Sequence, residues 1–269
     1  VSESAHIRNL LQKSVASKVP KIKVTAPSPL RFGVKGASIQ VIDSLCEMIE
    51  DAFSGTTEKK VLAKYTFYAD ATESIFYSNV VTITDDLPVY AGDFFEAFPD
   101  LFISIFVSND HVFGYPPPSA DAVYVHDSDD ANDVGEIALH VYLPKESSEA
   151  ITYMNENMLE IAGVLSHEMQ HVVQKLCYGE KLRSTAGESL LKHAFDGNEI
   201  DARVEEAITN MGLNVPEDDE KLFLATLDVC LDEYLKRNSK GDDNLPPNMK
   251  DKMLSEHLIV YRNKMRDIL

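Results

Sequence analysis

Hydrophobic periodicity switches twice along this chain, and the two switches leave few folds open. From Ala37 to Phe53, Ile39, Ile42, Leu45, Cys46 and Ile49 recur at the i, i+3, i+4, i+7 spacing of one helix face, which predicts a helix that stops near Gly55. The period then shortens to two. YTFYA (65–69), SIFYS (74–78), VVTIT (80–84), LFISIFV (101–107), AVYVH (122–126) and EIALHVYL (136–143) are β-branched or aromatic runs bounded by Asp, Pro and Gly, and each predicts a strand. After Pro144 the longer period returns and persists. Met158, Ile161, Ala162, Leu165, Met169, Val172, Val173 and Leu176 form one apolar stripe, which predicts a helix over 157–177 with Gly179 as its stop. Further helices are expected over 186–195, 198–210, 219–237 and 248–268. A short one over 5–19 precedes a proline-punctuated linker (Pro20, Pro27, Pro29) around a KIKV strand candidate. A mixed front, a β-rich middle and a helical back half define an α+β chain. Its expected divisions are an N-terminal helical and extended region (1–60), a core (61–212) and a C-terminal helical region packed on that core (213–269).

Charge and composition exclude several functions. The 269 residues carry 25 Lys+Arg against 44 Asp+Glu, a net charge of −19, so phosphate backbones would be repelled and nucleic acid is not an expected partner. Apolar runs are broken by charges well short of the ~18 residues that cross a bilayer, so no membrane span is expected. The three cysteines, Cys46, Cys177 and Cys230, are scattered and odd in number, which fits a reducing cytoplasmic or other intracellular setting better than a disulfide scaffold. No charged-then-apolar leader opens the chain, and Val1 in place of Met suggests trimming, processing or a fragment.

The chemistry concentrates in the helix predicted over 157–177. His167-Glu168-Met169-Gln170-His171 is an H-E-x-x-H match. One turn separates the two histidines, so both imidazoles leave the helix on one face and can converge on one metal ion. Glu168 leaves about 100° away, too far round to share the metal easily but near enough to reach a water molecule there. Catalytic zinc sites keep three protein ligands and one open position, so the expected cofactor is Zn2+ and the expected role of Glu168 is general base.

The run GVLSHEMQHVVQ followed by NEIDARVEEA resembles the zincin metallopeptidases of the compact gluzincin type. The resemblance spans about residues 100–210. It implies a zincin-like fold: a twisted, mainly antiparallel sheet packed on the active-site helix, here with additional N-terminal and C-terminal helices. It implies a zinc metalloendopeptidase with His167 and His171 as ligands and Glu168 as base. The third ligand of such enzymes commonly stands three positions before an alanine, which selects Glu199 in Glu199-Ile200-Asp201-Ala202; Asp201, His193 and Glu188 are the alternatives. Relatives often place an aspartate four residues after that glutamate to orient a histidine. Arg203 stands there instead, so the orienting role is vacant or passes to Glu206, Glu205 or Asp196. The metzincin pattern does not apply, because it needs glycine at 174 and histidine at 177 where Gln174 and Cys177 stand.

A peptidase also needs a donor for the oxyanion, and Tyr178, His193 and Arg203 are the candidates. Strand 136–143 is expected to be the sheet edge along which an extended protein or peptide substrate pairs. The negative surface should draw basic segments. The acidic turn Asp127–Asp133 lacks a calcium loop's glycine and has Ala131 where an oxygen ligand is wanted, so a solvated turn is expected there. Two rival functions remain open: a structural or assembly protein with a zincin fold and no required proteolysis, and a zinc hydrolase acting on a non-peptide amide.

Overall fold

The computed structural model describes residues 29–53, 66–68, 75–79, 101–108, 119–125, 135–144, 146–178, 189–238 and 246–266. The expected helix over 5–19, the KIKV strand, the strand over 80–84, Gly179 and the acidic turn at 127–133 lie outside them.

Helix α1 (Pro29–Phe53) is followed by five strands: β1 (Thr66–Tyr68), β2 (Ile75–Asn79), β3 (Phe102–Ser108), β4 (Ser119–Val125) and β5 (Glu136–Tyr142). Five helices follow: α2 (Ser147–Tyr178), α3 (Leu190–Ala194), α4 (Gly197–Asn210), α5 (Glu220–Asn238) and α6 (Met249–Arg266). The architecture is α+β. Helix α1 begins at Pro29 rather than Ala37 because a proline lacks only the N–H that a first turn leaves unused anyway. Helix α2 begins ten residues early, at Ser147, because Ala150 and Met154 extend the buried stripe backwards past Met158.

The sheet order is β1-β2-β3-β5-β4. β1/β2, β2/β3 and β4/β5 pair antiparallel and β3/β5 parallel. This corrects the expected edge. Strand β5 is flanked on both sides, and β4 is the outer strand among those described. His140, expected on the edge, lies inside the sheet opposite Asp121.

One apolar cluster fills the space between the sheet and α1 and α2, built from residues such as Ile42, Leu45, Ile105, Leu139, Ile161 and Leu165. A second joins α4, α5 and α6 through Val204, Ile208, Phe223, Leu227 and Tyr261, with Phe223 and Tyr261 stacked at 3.9 Å. Helices α2 and α4 lie between the two cores, side by side. Gly163 leaves room between them for the Asn210 side chain: a Cβ there would fall 2.0 Å from Asn210 Oδ1. The same packing sets Glu199 of α4 opposite the histidines of α2. Among the described residues no helix is long and apolar enough to cross a membrane.

Candidate metal centre

Helix α2 carries His167 and His171 on one face, with ring centroids 5.1 Å apart. Helix α4 supplies the acid. Its start is fixed by Asp196, whose Oδ1 accepts from the N–H groups of Asn198 at 2.9 Å and Glu199 at 3.4 Å, so Glu199 stands in the first turn. From there its carboxylate spans both rings, with His167 Nε2 3.5 Å from Oε2 and His171 Nε2 3.6 Å from Oε1. Two nitrogens and one oxygen at about 2.0–2.1 Å from a tetrahedral metal would stand roughly 3.4 Å apart, close to these spacings. The three ligand atoms lie within 4.8 Å of one another, and His167, His171 and Glu199 could hold a metal ion.

The ring nitrogens turned away from Glu199 have partners of their own. His167 Nδ1 is 3.1 Å from Glu206 Oε2, and His171 Nδ1 is 2.8 Å from Gln174 Oε1. Both partners can accept hydrogen from Nδ1, which leaves the Nε2 lone pairs for a cation; this is the outer hydrogen bonding that metal-binding histidines require. Of the positions expected to orient a histidine, Glu206 does so. Asp196 caps α4, and Glu205 pairs with Lys264 Nζ at 3.0 Å.

Without a cation, protons and charged side chains balance the site. Burial works against a charged His167, but hydrogen bonds to Glu199 and Glu206 outweigh it and raise its pKa to about 10. Burial also opposes ionisation of Glu199, yet His167 wins and holds it at about 2. His171, desolvated and facing His167, falls to about 4. Glu168 is different. Burial lifts it to about 7, and its Oε2 accepts from Tyr124 N at 2.9 Å, tying it to strand β4.

Arg203, one turn beyond Glu199 on α4, brings a guanidinium nitrogen to 3.6 Å from Oε2. It also donates to Ala194 O and lies 4.2 Å over the Tyr234 ring, with its side chain 5% exposed. His193, next to the last residue of α3, sets Nε2 3.5 Å from Glu199 Oε2 and is 35% exposed. The Tyr178 side chain, like those of Cys177 and Glu188, lies outside the described residues. Asp201, the alternative ligand, points elsewhere: it is engaged with Gln170, Gln174 and Lys264.

A cleft of about 590 Å³ opens on His167, Glu168 and His193, with Arg203 also lining it. Four carboxylates, Asp121, Glu160, Glu206 and Glu233, also line it, and Arg237 lies 4.0 Å from Glu160 and Glu233. Two contributors escaped the sequence reading. Gln174 enters the sequence reading only as the residue standing where the metzincin pattern needs glycine, although its place one turn after His171 puts it within reach of that ring. Tyr234 comes from α5, remote in sequence, and nothing in its local pattern marks it. Cys46 is buried and Cys230 half-buried; burial raises both thiols, to about 11 and about 12, so both are held as neutral thiols at neutral pH.

The sequence matches no protein-family model, and comparisons with curated proteins and with solved structures found no match to it.

Proposed function

We propose that the chain is a zinc-dependent metallopeptidase of the zincin type, with His167, His171 and Glu199 as ligands and Glu168 as general base. One observation carries the reading: two imidazoles one turn apart direct Nε2 at a single carboxylate from a neighbouring helix, while the acid between them is turned towards an open cleft. The donor set of two neutral imidazoles and one carboxylate suits zinc. When bound, zinc acidifies water and polarises a carbonyl oxygen.

The remaining work falls to the chain's own side chains. Glu168 holds and passes a proton. With a pKa near 7 its carboxylate can accept one from the attacking water and return it to the leaving amine at neutral pH. His193, half-exposed in the cleft, is the donor best placed to meet the oxyanion. Arg203 lies deeper, held by Ala194 O and Tyr234, and steadies Glu199. An extended peptide would lie along β4, whose Tyr124 N–H already reaches Glu168. The cleft's excess of carboxylates favours substrates with basic segments.

A second reading is favoured by Arg203. Its guanidinium already neutralises Glu199 and weakens that acid's hold on a cation, as expected of an assembly protein that keeps the fold without proteolysis. Metal analysis combined with a peptide-library digest separates the two. The peptidase reading predicts about one zinc per chain and cleavage by the native protein. It also predicts that Glu168→Gln retains zinc and loses turnover. Zinc without cleavage supports the assembly role, and absence of zinc binding refutes both the ligand set and the enzyme.

A further inference from the structure

We propose that Asp201, clamped by Lys264 of the C-terminal helix, fixes which ring nitrogen of His171 carries hydrogen, acting through the side-chain amide of Gln174. The inference rests on the metal-centre reading, since its consequence is a His171 Nε2 free to bind a cation.

The argument begins at Gln174, which is 1% exposed. A primary amide has one accepting end and one donating end, and its neighbours decide which way round it sits. At one end lie Asn198 O at 2.9 Å and Asp201 Oδ2 at 3.0 Å. A carbonyl and a carboxylate only accept, so this end must be the NH2 group. The opposite end is then the oxygen, and it stands 2.8 Å from His171 Nδ1. An amide oxygen cannot donate. His171 Nδ1 must therefore carry the hydrogen, and in the neutral ring Nε2 keeps its lone pair on the Glu199 side.

Asp201 is held in place independently of the metal site. Lys264 Nζ lies 3.0 Å from Asp201 Oδ1 and 3.0 Å from Glu205 Oε2, with the lysine side chain 7% exposed. Gln170 Nε2, from α2, donates to the same Oδ2 as Gln174, at 2.6 Å. Two residues past Glu199, Asp201 leaves α4 roughly 200° round from it, towards α2 and α6 rather than towards the cation position. Lys264, Asp201, Gln174 and His171 thus form a chain of hydrogen bonds from the last helix to a ligand nitrogen. Asp201 is a positioning residue: with the Asn198 carbonyl it holds the donating end of the Gln174 amide, and the amide's accepting end sets the His171 tautomer.

The test compares the full-length chain with Asp201→Asn and with Gln174→Met. The first makes the acceptor ambiguous beside Lys264. The second removes the relay but keeps the buried Lys264–Asp201 pair that the first disturbs. Nitrogen-15 chemical shifts of the His171 ring in the metal-free protein report the tautomer, and chelator competition reports zinc affinity. Native protein should show hydrogen on Nδ1. Each folded variant should show a mixed or reversed tautomer and bind zinc about 10–100-fold more weakly. Folded variants that keep hydrogen on Nδ1 and bind zinc within about twofold of native overturn the relay. Native protein that binds no zinc overturns the metal-centre reading instead, and the ring shifts still decide the relay by themselves.

Discussion

Zinc binding should become tighter with pH over a range where an ordinary histidine site would be flat. In the metal-free site His167 lies between Glu199 and Glu206 and holds its proton up to about 10, against an ordinary value of 6.5. A cation needs the neutral ring, so binding must expel that proton. At pH 8 the other site groups compete little: Glu199 is ionised, His171 is neutral and Glu168, at about 7, is mostly ionised. A proton held with a pKa of about 10 lowers the apparent affinity at pH 7 by ~10³, or about 4 kcal/mol. Raising the pH from 7 to 9 should therefore tighten zinc by ~10², one decade per unit, with any ionisation of bound water adding to the slope. Chelator-competition titrations at constant ionic strength measure this directly. A change of less than about threefold over the two units would show that no buried imidazolium guards the site, and the ion-pair reasoning would fail.

Three further outcomes follow. Glu199→Ala should abolish stoichiometric zinc binding and also lower Tm, because Arg203 loses its buried carboxylate, a loss that typically costs about 3–5 kcal/mol; zinc binding at native affinity would reassign the third ligand. The metal-free fold should lose stability progressively between about pH 6.5 and about pH 10: the raised pKa of His167 stabilises the fold fully below 6.5, and that contribution is gone once pH has risen through about 10, which thermal melts with chelator present would detect. Chelation should abolish peptide cleavage while far-ultraviolet circular dichroism stays native, since neither apolar core includes the metal ligands; unfolding on chelation would make the metal structural.

The histidine pair was legible in the sequence because helical periodicity fixes which residues share a face, and an apolar stripe ran directly beside it. Glu199 was reachable only through the resemblance, and the packing of α4 on α2 sets it opposite both rings. Strand order was not legible. Alternation reports the faces of a strand and says nothing about its neighbours, so β5 looked like an edge although β3 and β4 enclose it. The outer strand among those described, β4, carries exposed Val123 and Val125, apolar side chains of the kind an interior strand would carry. Glu206 was foreseen as one possible orienting acid, since one turn of α4 past Ala202 brings it to His167. Gln174 and Tyr234 were missed for a shared reason: their roles arise from tertiary approach, and neither residue type advertises chemistry by itself.

The central claim is that one cation is gripped by His167, His171 and Glu199. Crystals of the zinc-loaded protein, measured on both sides of the zinc absorption edge, test it most directly. The expected result is a single anomalous peak with two imidazole Nε2 atoms and a Glu199 oxygen at about 2.0–2.2 Å. A peak elsewhere, or none between these three side chains, would contradict the account.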